Sequence, residues 1–501
     1  MAPRWGLLGL VCGVMVLASS GNKSRATPER LAELRADGLD TAAADRAEQR
    51  LERLLERDAV ASLEGPFGTQ APDAGAAELG QLLVAALERN ASLGDAAQDI
   101  DRADAERLNA VFGYLPQVNF EYTQSDVDQT VLDSDNAVFL EGEANYPVLN
   151  YSLLVNQPII DMGRIFGIQY ARNARSVAEV NYLAAVRDVT FEVADAYLVA
   201  LQAQRQSGFL RQRQGVVNAQ ISSRVVLADI GLGDEIAESS LLGEAASIAA
   251  QEANEAAREA EALGRLAFLT GTTVSELATI SLPAGIRGTE RQVSPDQAVA
   301  RGFENNPTIM AAALMAVGGE IDRRRALAED FAPVLTAFAA LEYEDRDASR
   351  FGGGSETEDV TIGLTLRVPL FNGNAQGYSF RPATIEGRSM VLEYHAARRQ
   401  LETELRATHA RMVELSRAIG SGRQAVGQAQ RALAAERQRV LSGESVELAV
   451  AGRQVRLNVL RAQTDLYEME YFRAWLRLQY LMGVDLAEAG LCAFAGLSQP
   501  W

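Results

Sequence analysis

Four landmarks recur along this chain in the same order at one near-constant spacing. LLVAALERNASL (82–93) is matched by AVARGFENNPTI (298–309), YLPQVNFEY (114–122) by FAPVLTAFA (331–339), NQPIIDMGR (156–164) by RVPLFNGNA (367–375), and FLTG (268–271) by YLMG (480–483). Chance matching does not hold one offset through four separate sites, so the chain reads as one unit used twice, over 80–294 and 295–490. The length of 501 residues would alone suggest three domains of ~150 residues; the duplication replaces that estimate.

Both copies share an internal grammar. A helical stretch (80–112; 296–330) leads to a proline, then to an alternating segment, an acidic glycine-containing loop and a second alternating segment. A helical stretch of roughly a hundred residues follows, broken once near its middle, which predicts hairpins over 163–271 and 374–483. The alternating segments predict strands at about 116–125, 148–158, 333–343 and 360–369. Val118, Phe120 and Tyr122 share one face, as do Leu149, Tyr151, Leu153 and Val155; Leu335, Ala337, Ala339, Leu341 and Tyr343; and Val360, Ile362, Leu364, Leu366 and Val368. Strands of this length cross a bilayer when tilted, but four of them do not close a barrel, and open edges are not tolerated in lipid. A membrane reading therefore requires several chains to share one barrel.

The helices carry a second signal. Leu457, Leu460, Thr464, Tyr467, Tyr471, Ala474, Leu478 and Leu481 keep a strict three-four spacing, the mark of left-handed coiled-coil packing. Aromatic content of 6% and only 14 prolines suit long helices rather than a mostly β fold. The formal charge of −20 argues against a nucleic-acid binder. Two cysteines, Cys12 and Cys492, exclude a disulfide framework, and two histidines make a histidine metal cluster improbable. His395 and His409 lie in a charged helical run, where a solvated surface position is expected. No phosphate loop or nucleophile elbow is present, so no enzyme and no cofactor is expected.

Residues 1–21 have the three-part form of a secretory signal: Arg4, the apolar run 6–18, and small residues from Ala18 to Gly21. Cys12 lies inside the apolar run and follows Leu10 and Val11, which argues against lipid attachment. Residues 22–79 read as a solvated helix and linker, and 491–501 as a tail.

On YLPQV (114–118), SLLVNQPIIDMGR (152–164), LTLRVPLFNG (364–373), FLTG and YLMG, the chain resembles the TolC-type outer-membrane efflux protein family over residues 80–490. The resemblance implies an α+β membrane fold: a homotrimer with four strands per protomer in a twelve-stranded outer-membrane barrel, above a coiled-coil helical barrel crossing the periplasm. It implies an exit duct for efflux or type I secretion, partnered by a periplasmic adaptor protein and an inner-membrane transporter, proton-driven or of the ABC type, with outer-membrane lipid around it. A soluble periplasmic coiled-coil scaffold is the alternative. On this template 126–147 and 344–359 are extracellular loops, with acids at Asp126, Asp128, Asp133, Asp135, Glu141, Glu143, Glu344, Asp345, Asp347, Glu356, Glu358 and Asp359. They lack EF-hand spacing, so solvent rather than calcium is the expected partner. Pro158 and Pro369 mark the strand-to-helix junctions.

The hairpin breaks at 228–238 and 440–449 correspond to the periplasmic tips, where the family's adaptor contact and gate lie. Gly231, Asp234, Glu235, Glu238, Gly443, Glu444 and Glu447 are the candidates there. Some relatives close the tunnel with paired aspartates after the second tip. Here those positions hold Ala449 and Gly452, or Asn458 and Arg461 in a shifted register, and the latch positions are Val440 and Ser445. Closure without that aspartate ring predicts weak block by trivalent cations.

Overall fold

The computed structural model describes residues 77–132, 142–229, 235–278, 286, 288–348, 353–371, 380–444 and 447–484. The signal segment, Cys12, Cys492, the tail, Gly231, Asp234, Asp133, Asp135, Glu141 and Ser445 lie outside them. The first half runs α1 (Leu79–Arg89), α2 (Ala91–Phe112), β1 (Gln117–Val131), β2 (Gly142–Ile160), α3 (Met162–Asp229) and α4 (Glu235–Thr270). A short α5 (Thr289–Gln292) links it to α6 (Pro295–Asn305), α7 (Pro307–Phe331), β3 (Val334–Arg346), β4 (Ser355–Arg367), α8 (Arg381–Leu441) and α9 (Glu447–Leu481). The order of elements from α6 to α9 repeats that from α1 to α4.

The arms of each hairpin are unequal, not the near-equal halves that the sequence suggested. α3 has 68 residues against 36 in α4, and α8 has 61 against 35 in α9. The shorter arms are completed by splices. Asn90 ends α1 and caps α2: its Oδ1 accepts from Ser92 N at 3.0 Å while its Nδ2 donates to Leu269 O at 3.0 Å. Asn306 does the same between α6 and α7, with Thr308 N at 2.9 Å and Leu481 O at 3.1 Å. Each asparagine thus satisfies an orphan donor at one helix start and an orphan acceptor at another helix end. The helix so held ends in a left-handed glycine, Gly271 at φ +64° or Gly483 at φ +74°. α9 and α7 together, at 35 and 25 residues, match the 61 of α8. The recurring ERN/ENN and LTG/LMG landmarks are therefore the two halves of one clasp.

The core lies at this waist and draws on both halves. Leu79, Leu82 and Leu83 of α1, Val193, Tyr197 and Leu201 of α3, Leu266 and Leu269 of α4, Leu401 and Leu405 of α8, and Phe472 and Leu476 of α9 share one buried cluster. Tyr197 is fully buried and donates to Ala278 O at 2.6 Å; burial, aided by the Glu78 charge, pushes its phenol up to about 12, so it remains a donor at any working pH. The spacing from Leu457 to Leu481 is largely buried, with Leu457, Thr464, Tyr471, Ala474, Leu478 and Leu481 enclosed. His409 departs from expectation: it is buried, and its Nε2 donates to the carbonyls of Glu290 (3.2 Å) and Val293 (2.9 Å). Its place on the inward seam of α8, not the charge of its neighbours, decides its environment.

The strands form one antiparallel sheet in the order β1-β2-β3-β4, the two halves joining along β2–β3. They are longer than the alternation indicated, with 15, 19, 13 and 13 residues. Much of what reads as loop is ladder: Asp126, Asp128, Glu143, Glu344, Asp345, Glu356, Glu358 and Asp359 are all paired strand residues. Apolar alternation marks only the part of a strand that meets a greasy phase, whereas backbone pairing continues past it. Pro158 lies inside β2 at a bulge before Ile160, with α3 starting two residues further on; Pro369 follows the end of β4.

Candidate functional site

The strand register sorts the sheet residues into two faces. On one, Val118, Val155, Ala339 and Ile362 form a row across the sheet, and Phe120, Leu153, Leu341 and Val360 form the next. These side chains are not covered: Phe120 is 68% exposed, Ile362 64% and Leu364 70%. From Val360 to Leu366 this apolar band covers seven residues, about 20 Å of strand. Above it a row of tyrosines, Tyr122, Tyr151 and Tyr343, crosses three strands, with the Tyr151 and Tyr343 rings stacked at 4.5 Å. Beyond the tyrosines the face turns acidic, with Asp126, Asp128, Glu143, Asp345, Glu356 and Glu358. The other face carries Gln117, Asn119, Thr123, Asn150, Ser152, Asn156, Thr336, Thr361 and Thr365. Such a sheet has lipid on one side, ending at an aromatic interface, and water on the other.

The sheet does not close on itself. β1 and β4 are edges, each pairing with a single neighbour among the described residues. No described helix is long and apolar enough to cross a membrane.

Below the sheet, side chains tie the two hairpins together at the waist. Arg473 of α9 makes a two-pronged ion pair with Asp195 of α3 at 2.8 and 2.9 Å, the geometry in which guanidinium and carboxylate match best. Arg187 donates to the carbonyls of Tyr480 and Val484, both at 3.0 Å, and the Tyr480 hydroxyl donates to Asp188. Burial, then the Asp188 carboxylate, raises the Tyr480 phenol. α5 forms a strap over α8 and α9. The buried Glu290 carboxylate accepts from Ser416 Oγ at 2.8 Å and from the Tyr471 hydroxyl. Burial works to raise this carboxyl, but the hydrogen bonds from Tyr471 and Ser416 outweigh it and hold the group below its ordinary value.

The described ends of the hairpins are more exposed than the waist. α8 ends at Gly443, φ +77°, with Glu444 N bonded back to Arg439 O at 2.8 Å. Glu444 is exposed there beside Leu441, which is 80% exposed; Glu235 and Ile236 are exposed on the first turn of α4, with Glu238 half-buried. Glu447 opens α9. Gly443 and Glu444 thus share the second turn, while Glu235 and Glu238 sit on the first hairpin. One tip acid was not among the candidates. Glu436 on α8 is buried between Arg439 (3.8 Å) and Arg453 of α9 (3.7 Å), bridging the hairpin. Its i, i+3 arginine was legible; the cross-hairpin partner needed the fold. Val440 and Ala449 are half-buried, Gly452 and Arg461 exposed. Between Glu447 and Asp465, α9 has no acid but has Arg453, Arg456 and Arg461. A groove of about 310 Å³ between Ala425, Ala429 and Ala432 of α8 and Arg453 and Arg456 of α9 leaves this end loosely packed.

A membrane sheet incomplete in one chain, set on paired helical hairpins clamped at the waist, defines a shared outer-membrane channel. Comparison with known proteins agrees. The model of the outer membrane efflux protein family matches residues 301–484. The protease secretion protein PrtF of Dickeya chrysanthemi is 24% identical over 410 residues, covering 79% of this chain and 86% of PrtF. The outer membrane protein TolC of Vibrio cholerae is 23% identical over 432 residues, covering 83% and 91%. The outer membrane protein VceC of Vibrio cholerae superposes with a TM-score of 0.61 at 20% identity, over 81% of this chain and 96% of VceC. The chain is thus similar over most of its length to TolC-type outer-membrane efflux proteins, and its place is the outer membrane, with the helical part in the periplasm. The family is one of channels rather than enzymes.

Proposed function

We propose that three copies of this chain form a passive exit duct, conducting substrate received from a periplasmic adaptor and an inner-membrane transporter to the cell exterior. The observation that carries the reading is the four-stranded sheet with one uncovered apolar face and two open edges, which lipid tolerates only when neighbours complete a barrel. Three such sheets give twelve strands. Each chain contributes two repeats, 80–294 and 295–490, and the energy comes from the inner-membrane partner.

In this reading the tips meet the adaptor through Gly231, Asp234, Glu235, Glu238, Gly443, Glu444 and Glu447. Closure uses links within the second hairpin, such as Glu436 with Arg453, in place of an aspartate ring. Trivalent cations then block weakly from the periplasmic side, which single-channel recording measures. Similarity to a protein named for protease secretion favours an ABC-type exporter as partner over a proton-driven pump. Crosslinking from cysteines placed at positions 235 and 444 identifies that partner. Fractionation tests the whole proposal: heat-resistant trimers in the outer membrane are expected, and a soluble periplasmic product would restore the scaffold alternative.

A further inference from the structure

The water-facing side of the sheet holds a feature that only the register brings together. Glu121 of β1, Ser152 of β2, Glu342 of β3 and Asp359 of β4 stand opposite one another in a single row. Glu121, Glu342 and Asp359 are exposed on this face, and the lipid-facing rows on either side of them are Phe120–Leu153–Leu341–Val360 and Tyr122–Tyr151–Tyr343. The carboxylates therefore lie level with the upper part of the apolar band, inside the membrane-spanning height. Acids at membrane depth that face a water-filled cavity mark ion pathways.

Two further observations distinguish this row from a solvated surface. Glu342 and Asp359 are direct cross-strand partners, an arrangement of like charges that weakens a sheet and that nothing in the fold requires. The same face offers no base at this level. Arg367 lies at the opposite end of β4, paired with Val334, and Arg346, two rows above, is engaged by Glu344 at 2.8 Å and lies over the Tyr146 ring. The nearest other charges described on this face, Glu344 and Arg346, offset each other.

We infer that Glu121, Glu342 and Asp359 form a fixed-charge belt that makes the barrel, rather than the periplasmic tip, the determinant of cation preference during conduction. The inference rests on the channel reading above. It concerns steering of mobile ions, not a bound one. Twelve strands at ~4.8 Å spacing and ~40° tilt give a barrel about 24 Å across, so the wall charges stand roughly 8–12 Å from the axis. That distance is comparable with the screening length of about 8 Å at 0.15 M salt and much shorter than the 30 Å at about 0.01 M. Selectivity is accordingly faint at physiological salt and pronounced in dilute salt.

The test is reversal-potential measurement on the purified full-length trimer in planar bilayers, in potassium chloride gradients at high and low salt. Wild type is expected to prefer potassium increasingly as salt falls. E121Q/E342Q/D359N should lose about threefold or more of that preference in dilute salt. D126N/D128N/D345N, which removes the same number of charges from the outward face of β1 and β3, should keep it. The single variant Glu121→Gln, free of the Glu342–Asp359 pair, should give a partial loss if the triple variant fails to assemble. An unchanged ratio in an assembled triple variant, or an equal loss in the outward variant, overturns the belt. Absence of any conductance from wild-type trimers overturns the channel reading instead.

Discussion

Asn306 performs two tasks with one side chain, and its replacement separates them. Alanine removes the cap of α7 and strands the Leu481 carbonyl in a site where Asn306 is 6% exposed. The expected loss is about 2–3 kcal/mol, from a missing cap plus an unsatisfied buried acceptor, with a smaller loss for Asn90→Ala at the more open first clasp. Thermal dissociation of the trimer ranks the two. The glycines behave alike in conformation and unlike in surroundings. A Cβ at Gly483 would lie 2.3 Å from the Asn305 carbonyl, whereas at Gly443 it would meet nothing within 4 Å. Gly443→Ala should therefore cost only backbone strain of about 1 kcal/mol, and Gly483→Ala should prevent assembly, as yield of heat-resistant trimer would reveal. Both asparagines and the clasp glycines Gly271 and Gly483 were visible in the sequence as repeat landmarks. Their partnership was not, because Asn306 and Leu481 are 175 residues apart.

At the scale of elements, the sheet predicts strict face dependence. Ile362→Arg places a charge in lipid at a cost of about 2–4 kcal/mol and should abolish outer-membrane trimers, while Thr361→Arg, one residue away, points into water and should assemble. Equal behaviour of the two would contradict the assignment of faces. The α5 strap predicts a pH dependence. Because the Glu290 carboxyl is held below the ordinary carboxylate value, its contribution is present above that ordinary value and is lost as pH falls through the folded one. Thermal melts of wild type and Glu290→Gln should differ most near neutrality and converge in acid. The strands were legible as period-two patterns, but their length was not, since ladder bonds leave no trace in side-chain chemistry. His409 shows the converse limit: flanking charges describe the outer turns of α8, and the seam on which it sits emerges only with α9 and the strap in place.

For the whole molecule, the deciding fact is incompleteness. The repeat and the four alternating segments together made a shared barrel legible from sequence alone. The gate was less so: candidates at the tips followed from the breaks, but Glu436 and Arg453 come from opposite arms of the hairpin. The same holds more strongly for the carboxylate row, whose members lie on three strands from both halves of the chain.

The tyrosine row has a mechanical consequence for how the protein rides in its membrane. It works as a waterline with a stop on each side. Rising by one outward-facing step, about 7 Å of strand, would lift Tyr122 and Tyr343 out of the interface and pull Phe120 and Val360 towards water. Sinking by the same step would drag Glu358, level with the tyrosines, into hydrocarbon. In the duct proposed above, docked to machinery in a second membrane, such a fixed draught would keep the tips at one depth whatever passes through.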